Sequence, residues 1–425
     1  IKIARELIKA GADVNIQDKD GNPALRIAAV KGHIEIAREL IKAKADLDLQ
    51  DKNDTTALMW ATNKGHVEIV RALIEKKADL DLPDKNGTTA LMWAASKGHI
   101  DIAKALIEKK ADLNLQDKNG ATALMWAADK GHVEIVRALI EKGANLDLQN
   151  KNGTTALMWA ASKGHIDIAK ALIEKKTNLN LQDKNGATAL MWAADKGHVE
   201  IVRALIEKGA NLNIKNNDSI TTLIFAANKG HLEIAKALIE KKADLDLPDK
   251  NGTTALMWAI DKDHVAIVKA LIEKGANLDL QNKNGITALM AAAFKGHTVI
   301  AKALIDAGAN LDIKDINSST AFMLTVRKVA KNTGHMETIK ILLEANQRKG
   351  VRASAATVPT RAATVAPIKI CSNPGCGKIK AIDPKTKMET LLMICTRCNA
   401  VWYCSQACQY QHWPTHQHTC KPKPA

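Results

Sequence analysis

Residues 84–116 read DKNGTTALMWAASKGHIDIAKALIEKKADLNLQ, and most of the chain consists of variants of this sequence. The histidine of its Gly98-His99 dipeptide recurs at an exact spacing of 33 residues. The histidines that keep this spacing are His33, His66, His99, His132, His165, His198, His231, His264 and His297. A fixed period of this length is typical of a solenoid, in which each repeat packs against its neighbours.

One repeat predicts a turn, a helix, a tight turn and a second helix. The cluster Asp84-Lys85-Asn86-Gly87 is typical of a turn in which glycine supplies a positive φ. Thr89 is a candidate N-cap for the first helix, and Gly98 is expected to end that helix in the left-handed conformation. Four apolar residues of the second helix share one face: Ile102, Ala103, Leu106 and Ile107. A two-helix repeat cannot bury this face alone, so it depends on its neighbours.

These residues resemble the ankyrin repeat, in which Thr-Pro-Leu-His is favoured where residues 89–92 read Thr-Ala-Leu-Met. Ala90 and Met92 are the departures from the family pattern. The resemblance covers residues 1–347, with a partial first repeat, nine regular 33-residue repeats and an altered last repeat from Asp315. It implies a mainly α fold, an ankyrin-repeat solenoid of stacked helix-turn-helix repeats. The periodic histidines are expected to be structural, because helix packing keeps them about 10 Å apart.

Some repeats deviate from the regular pattern. Residues 84–149 and 150–215 differ at only six positions, which indicates duplication of a pair of repeats. In repeat 216–248, Ser219 replaces the turn glycine and Phe225 replaces the tryptophan. The last histidine step, from His297 to His335, is five residues too long, and the extra residues fall near 329–333. A longer helix or loop in a C-terminal capping repeat is the expected explanation.

The ankyrin resemblance implies a groove, lined by turn tips and first helices, that binds a protein partner. Trp93 and Lys97 lie on the same helix face because they are four residues apart. Stacked repeats are expected to align Trp60, Trp93, Trp126, Trp159, Trp192, Phe225 and Trp258 beside Lys64, Lys97, Lys130, Lys163, Lys196, Lys229 and Lys262. This row suits an extended acidic or proline-containing peptide. The alternative is that each tryptophan packs against the next repeat and only seals the core.

All seven cysteines lie in the last 55 residues, which leaves no disulfide framework for the repeats and points to metal in a reducing compartment. With one histidine they form four close pairs: Cys371 and Cys376, Cys395 and Cys398, Cys404 and Cys408, and His416 and Cys420. Eight such ligands suit two tetrahedral Zn²⁺ sites with no open coordination position, so the zinc is expected to be structural. Binding at comparable sites supplies ~10–16 kcal/mol of folding free energy.

Residues 403–420 closely resemble the MYND zinc finger. The resemblance implies interleaved pairing, with Cys371, Cys376, Cys404 and Cys408 on one zinc and Cys395, Cys398, His416 and Cys420 on the other. MYND fingers bind proteins, several of them through Pro-x-Leu-x-Pro peptides, and the peptide-contacting positions map to Thr396, Gln409 and Trp413. Alternatively, Trp413 only covers the zinc cluster. The first pair, with four intervening residues, and the long insert 377–394 depart from the family pattern.

The remaining segments complete the domain organisation. Residues 348–368 are predicted to be a flexible linker, 369–420 the finger and 421–425 a tail. The net charge of +15 is concentrated at the C-terminal end. Residues 348–425 hold 12 Lys and Arg against 2 Asp and Glu, which leaves 49 against 44 for residues 1–347. Charge therefore gives little support for nucleic-acid binding. No apolar run is long enough for a membrane span. The chain begins inside a repeat, as a fragment does.

The sequence thus predicts a non-catalytic adaptor that binds one protein on the ankyrin groove and a second, proline-rich peptide on the finger. It is expected inside the cell, in cytoplasm or nucleus. Two other functions remain open: a subunit of a ubiquitin or lysine-methylation regulatory complex, and a nucleic-acid-associated transcriptional cofactor. The sequence contains no cofactor-binding or nucleophile motif, which weighs against an enzyme.

Overall fold

The computed structural model describes residues 1–326, 333–355, 369–370, 378–382, 389–395 and 400–402. It contains two compact bodies, Ile1–Lys250 and Asn251–Ala425. Within each body the repeats are helix pairs. The first helices pack on first helices of the neighbouring repeats, and the second helices pack on second helices. The predicted repeat solenoid, mainly α, is therefore confirmed.

The first helix of each repeat is short and starts at the same point of the 33-residue period. These helices are α2 (Ala24–Lys31), α4 (Ala57–Lys64), α6 (Ala90–Lys97), α8 (Ala123–Lys130), α10 (Ala156–Lys163), α12 (Ala189–Lys196), α14 (Thr222–Lys229), α16 (Ala255–Asp261), α18 (Ala288–Lys295) and α20 (Ala321–Val326).

In the regular repeats the second helix begins directly after the histidine, whereas in the last repeat it begins at Thr333, two residues before His335. The second helices are α3 (Ile34–Lys42), α5 (Val67–Glu75), α7 (Ile100–Glu108), α9 (Val133–Glu141), α11 (Ile166–Glu174), α13 (Val199–Glu207), α15 (Leu232–Glu240), α17 (Val265–Glu273), α19 (Thr298–Asp306) and α21 (Thr333–Ala355). Helix α1 (Lys2–Lys9) is the second helix of the partial first repeat.

The helix boundaries have local causes that the sequence predicted. Thr89 is the N-cap of α6, and its Oγ1 accepts a hydrogen bond from the Met92 backbone N–H at 3.4 Å. Gly98 ends the helix with φ +76°, the left-handed conformation that lacks a Cβ penalty in glycine. In the deviant repeat, Ser219 replaces the turn glycine yet still adopts φ +59°. That repeat keeps its turn geometry at the expense of backbone strain.

The core lies between the two helix layers. The buried apolar face predicted for the second helix is present, because Ile102, Ala103, Leu106 and Ile107 are all buried. Met92, which stands at the position of the family's histidine, is 1% exposed and adds apolar volume to the core from the first helix. Each repeat thus supplies one apolar surface from each helix, and burying both surfaces requires the adjacent repeats.

The last repeat keeps the position of its histidine despite the insertion. His335 Nε2 lies 3.0 Å from the Phe294 carbonyl oxygen, the contact that histidines make across regular repeats. Residues 327–332, where most of the predicted insertion falls, lie outside the described residues. Helix α21 continues to Ala355 and so includes residues 348–355 of the segment predicted as a flexible linker. The rest of that segment, 356–368, lies outside the described residues.

A four-stranded antiparallel sheet of order β1-β2-β3-β4 occupies the finger segment. Its strands are β1 (Lys369–Ile370), β2 (Lys378–Ile382), β3 (Glu389–Cys395) and β4 (Ala400–Trp402). The register pairs Ile379 with Leu392 and Cys395 with Ala400. The described part of the insert 377–394 therefore belongs to the antiparallel pair β2 and β3.

Candidate partner-binding face

Within each compact body, the aromatic residues of the predicted row lie on the face formed by the first helices and turn tips, here called the groove face. Trp60, Trp93, Trp126, Trp159, Trp192, Phe225 and Trp258 are all half-buried, and the lysine four residues after each is exposed. Lys97 Nζ lies 5.9 Å from the Trp93 ring centroid, and Lys130 Nζ lies 6.0 Å from that of Trp126. These separations are at the outer limit of a cation–π contact. Part of each aromatic side chain is thus open to solvent beside a cation.

The indole N–H of alternate tryptophans is used inside its own repeat. Trp126 Nε1 donates to Asp117 Oδ2 at 3.2 Å, and Trp60 and Trp192 make the same bond to Asp51 and Asp183. The other oxygen, Asp117 Oδ1, accepts two turn N–H groups at 2.8 Å. One buried aspartate therefore orders the turn and fixes the indole edge.

Aspartates of alternate repeats pair with lysines of the predicted row. Asp129 Oδ2 lies 2.9 Å from Lys130 Nζ in its own repeat, and its Oδ1 lies 3.6 Å from Lys163 Nζ in the next. Asp195 joins Lys196 and Lys229 in the same way, at 3.1 and 3.3 Å. We call each such trio a Lys-Asp-Lys clamp.

Asp261 forms a third clamp with Lys262 and Lys295, at 3.2 and 2.8 Å. The Lys295 hydrogen bond outweighs burial and holds the pKa of Asp261 below its ordinary value. At Asp195, burial raises the pKa, but the two lysine hydrogen bonds outweigh it and lower the pKa overall. The carboxylates of Asp195 and Asp261 therefore stay ionised near neutral pH. Each clamp combines two lysines with one aspartate and so carries one net positive charge.

The first regular repeat carries a different cation. Arg26 stands where most later repeats have methionine, and its Nε lies 2.9 Å from Asp51 Oδ2. Its guanidinium also lies 4.9 Å from the Trp60 ring centroid. The side chains are 16% and 3% exposed, so this pair is nearly removed from solvent.

The periodic histidines stabilise the stack, as predicted, by joining one repeat to the previous one. His132 Nε2 lies 3.4 Å from the Ser96 carbonyl oxygen, and His165 Nε2 lies 3.2 Å from that of Asp129. The ring packs against the helix-ending glycine of the previous repeat: a Cβ on Gly98 would lie 2.5 Å from His132 Cε1. Within the described part of the chain, no cluster of His, Cys, Asp and Glu could hold a metal ion.

Comparison with known proteins agrees with this geometry. The family described as ankyrin repeats (3 copies) matches residues 1–84, 76–150, 139–216, 210–282 and 274–353. The chain is an ankyrin-repeat protein. A MYND finger matches residues 373–420. Ankyrin repeats and MYND fingers are protein-interaction modules, so this ankyrin-repeat protein has the architecture of a protein-binding molecule.

Among curated proteins, none matches this ankyrin-repeat protein. A solved structure similar to it is the ankyrin repeat domain of Bcl-3, described as a unique member of the IkappaB protein family. The two are 28% identical with a TM-score of 0.47, over 52% of this chain and 99% of the Bcl-3 chain.

One repeat of the ankyrin-repeat protein breaks the histidine pattern. Asp263 replaces the helix-ending glycine, adopts φ +58°, and places its Oδ1 3.3 Å from His297 Nδ1. Among the described residues, the buried His297 Nε2 has no hydrogen-bond partner. The histidine therefore contacts a carboxylate through Nδ1, whereas the regular histidines contact a carbonyl oxygen through Nε2.

Most predicted finger residues lie outside the described residues. These are the ligands Cys371, Cys376, Cys398, Cys404, Cys408, His416 and Cys420, and the peptide positions Thr396, Gln409 and Trp413. Cys395 is the last residue of β3. Strands β1 and β3 run in the same direction, so their last residues, Ile370 and Cys395, lie at the same end of the sheet. Within the described ranges, no helix combines the length and apolarity needed to cross a membrane.

Sequence reasoning missed the clamps and the Arg26 pair. The lysines were predicted to form one row beside the aromatic residues, whereas the structure pairs Lys163 with Asp129 and Lys229 with Asp195. The available signal was the alternation of the residue before each lysine: Asn63, Ser96, Asp129, Ser162 and Asp195. Asp129 and Lys163 are one period plus one residue apart. The same separation, applied along the chain, would have identified the lysine partner of each aspartate.

Proposed function

We propose that this protein is a non-catalytic adaptor, which holds one protein partner on the groove face and a second on the MYND finger. The row of half-buried tryptophans beside exposed lysines carries this proposal. A partly exposed indole whose edge is fixed, as in Trp126, offers a rigid apolar surface that loses little conformational entropy on binding. The groove partner is an extended segment that combines acidic residues with prolines. Tethering both partners to one chain raises the concentration of each near the other.

Zinc fits the finger by the chemistry of the donors. Seven thiolates and one imidazole in four close pairs are what two closed tetrahedral sites require. We assign one zinc to Cys371, Cys376, Cys404 and Cys408, and the other to Cys395, Cys398, His416 and Cys420. Bound zinc supplies the folding free energy of a segment with little apolar core. Thr396, Gln409 and Trp413 then bind a proline-rich peptide. Thiolate ligands suit a reducing compartment, the cytoplasm or nucleus.

Proximity labelling in cells with four forms of the full chain tests the adaptor function. The groove variant is Trp93→Ala with Trp126→Ala, and the finger variant is Cys395→Ala with Cys398→Ala. The control variant, Arg71→Ala with Arg137→Ala, removes exposed cations from the second-helix face. We expect the groove and finger variants to lose different sets of labelled proteins, and the control to match the wild type. If both variants lose the same set, or neither loses any, the two-site function is wrong.

Trp413→Ala tests the peptide role within the finger. We expect the variant to retain two zinc ions per chain and to lose binding of a Pro-x-Leu-x-Pro peptide in fluorescence anisotropy. Loss of zinc from the variant would instead show that Trp413 only supports the metal cluster.

A further inference from the structure

In the described part of the groove face, some lysines form an ion pair with an aspartate and others do not. Two repeats of nearly identical sequence show this difference. Lys97 and Lys163 occupy the same position in repeats that are identical over residues 85–110 and 151–176. Asp129, in the repeat before Lys163, pairs with it at 3.6 Å. The equivalent residue before Lys97 is Asn63, which has no charge. The local sequence is thus constant, while the neighbouring repeat decides whether the lysine is paired.

Lys64 and Lys97 are the uncompensated members of the row in the first compact body. Among the described residues, neither takes part in an ion pair, whereas Lys130, Lys163, Lys196 and Lys229 belong to clamps. Lys97 Nζ instead lies over the Trp93 ring, at 5.9 Å. An ammonium group without a carboxylate partner can bind an incoming carboxylate without first breaking an ion pair. A clamped lysine must exchange one carboxylate for another and gains little.

We propose that Lys97, with Trp93 and the neighbouring Lys64, forms the point on the groove face where an acidic residue of the extended partner binds. The inference rests on the proposed function and deepens it by fixing where the acidic part of the partner lies. The partner carboxylate contacts Lys97 Nζ, and an adjacent proline or apolar group packs on the exposed part of Trp93. The clamped region, 117–229, contacts the less acidic part of the segment. The clamps therefore set the register of the partner along the repeats.

The test uses a fluorescent peptide of about twelve residues, alternating Glu and Pro, long enough at about 3.3 Å per residue to cross about four repeats. Anisotropy is measured with the full chain near 0.15 M salt, where charges beyond about 8 Å are screened and local contacts dominate. We expect Lys97→Gln to weaken binding about five-fold, and Lys163→Gln less than about two-fold. The same peptide with Gln in place of Glu should not distinguish the two variants.

Exchanging the clamp residue gives the reciprocal test. Asn63→Asp places at Lys97 the carboxylate that Asp129 supplies at Lys163, and it should weaken Glu-Pro peptide binding as much as Lys97→Gln does. Asp129→Asn frees Lys130 and Lys163 and should strengthen binding. Far-UV circular dichroism checks that each variant keeps the wild-type helical signal.

Four results would overturn the proposal, and they distinguish its failure from failure of the proposed function. If Lys97→Gln and Lys163→Gln weaken peptide binding equally, and Trp93→Ala still weakens it, the groove face binds the peptide but Lys97 is not the binding point. If the Glu-Pro peptide does not bind the wild type, or if Trp93→Ala leaves its binding unchanged, both proposals fail. Tighter binding of an oligothymidylate of similar length than of the peptide would assign the site to nucleic-acid phosphate.

Discussion

The histidine-over-glycine contact between repeats gives a sharp stability prediction. Gly98→Ala places a methyl group 2.5 Å from His132 Cε1, at a residue with φ +76°. The left-handed conformation alone costs an alanine about 1–2 kcal/mol. Displacing the imidazole also loses its 3.4 Å contact with the Ser96 carbonyl oxygen, which adds about 1 kcal/mol. We therefore expect a total loss of about 2–3 kcal/mol.

Gly143→Ala is the matched control. Gly143 has φ +86°, but nothing lies within 4 Å of the Cβ position, so only the backbone cost of about 1–2 kcal/mol applies. Urea denaturation followed by far-UV circular dichroism measures both losses. With His132→Ala as background, Gly98→Ala should cost no more than Gly143→Ala. If Gly98→Ala costs no more than Gly143→Ala in the wild type, or if His132→Ala leaves its cost unchanged, the steric explanation is wrong.

Three further predictions follow from the same structure, each measured by urea denaturation. Arg26→Met should cost about 2 kcal/mol at pH 7, because it leaves the buried Asp51 carboxylate without its ion pair. Burial raises the pKa of Asp51, but hydrogen bonds from the turn N–H groups and Trp60, together with the Arg26 charge, lower it overall. The stability that ionised Asp51 contributes is therefore lost as the pH falls below about 4. Arg26→Met should lose less stability than the wild type over that pH range. Lys110→Gly should stabilise by about 0.5–1 kcal/mol, because Lys110 has φ +68° where alternate repeats have glycine, and an unchanged stability would contradict this. Burial and the charges of Asp112 and Asp79 raise the pKa of Asp81, so its charged form destabilises the fold once the pH exceeds that pKa. Asp81→Asn, which copies Asn114 of the next repeat, should therefore stabilise the protein by about 0.5 kcal/mol at pH 7 and not near pH 3.

The sequence predicted features that depend on local chemistry and on the period. Thr89 and Gly98 mark helix ends through contacts within a few residues, so their roles follow from residue type and position. The buried face of α7 follows from helical spacing. The structural role of the histidines followed from their separation, although the carbonyl partner in the previous repeat required the structure.

Features that depend on how consecutive repeats superpose were not predicted. The pair Asp129 and Lys163 forms only because two repeats place these residues side by side. Arg26 and Asp51 likewise belong to consecutive repeats, and near-perfect duplication makes such substitutions easy to overlook. The extension of α21 to Ala355 was missed because residues 348–355 are rich in Arg, Ala and Lys without apolar periodicity, although these residue types favour helix.

Native mass spectrometry of the full chain with both peptides tests the adaptor function most directly. The Glu-Pro peptide probes the groove face, and a Pro-x-Leu-x-Pro peptide probes the finger. We predict one population in which a single chain carries two zinc ions and both peptides. Trp93→Ala with Trp126→Ala should remove only the first peptide, and Cys395→Ala with Cys398→Ala only the second. Peptides that exclude one another, or a zinc-loaded chain that binds neither, would contradict two independent binding sites on one chain.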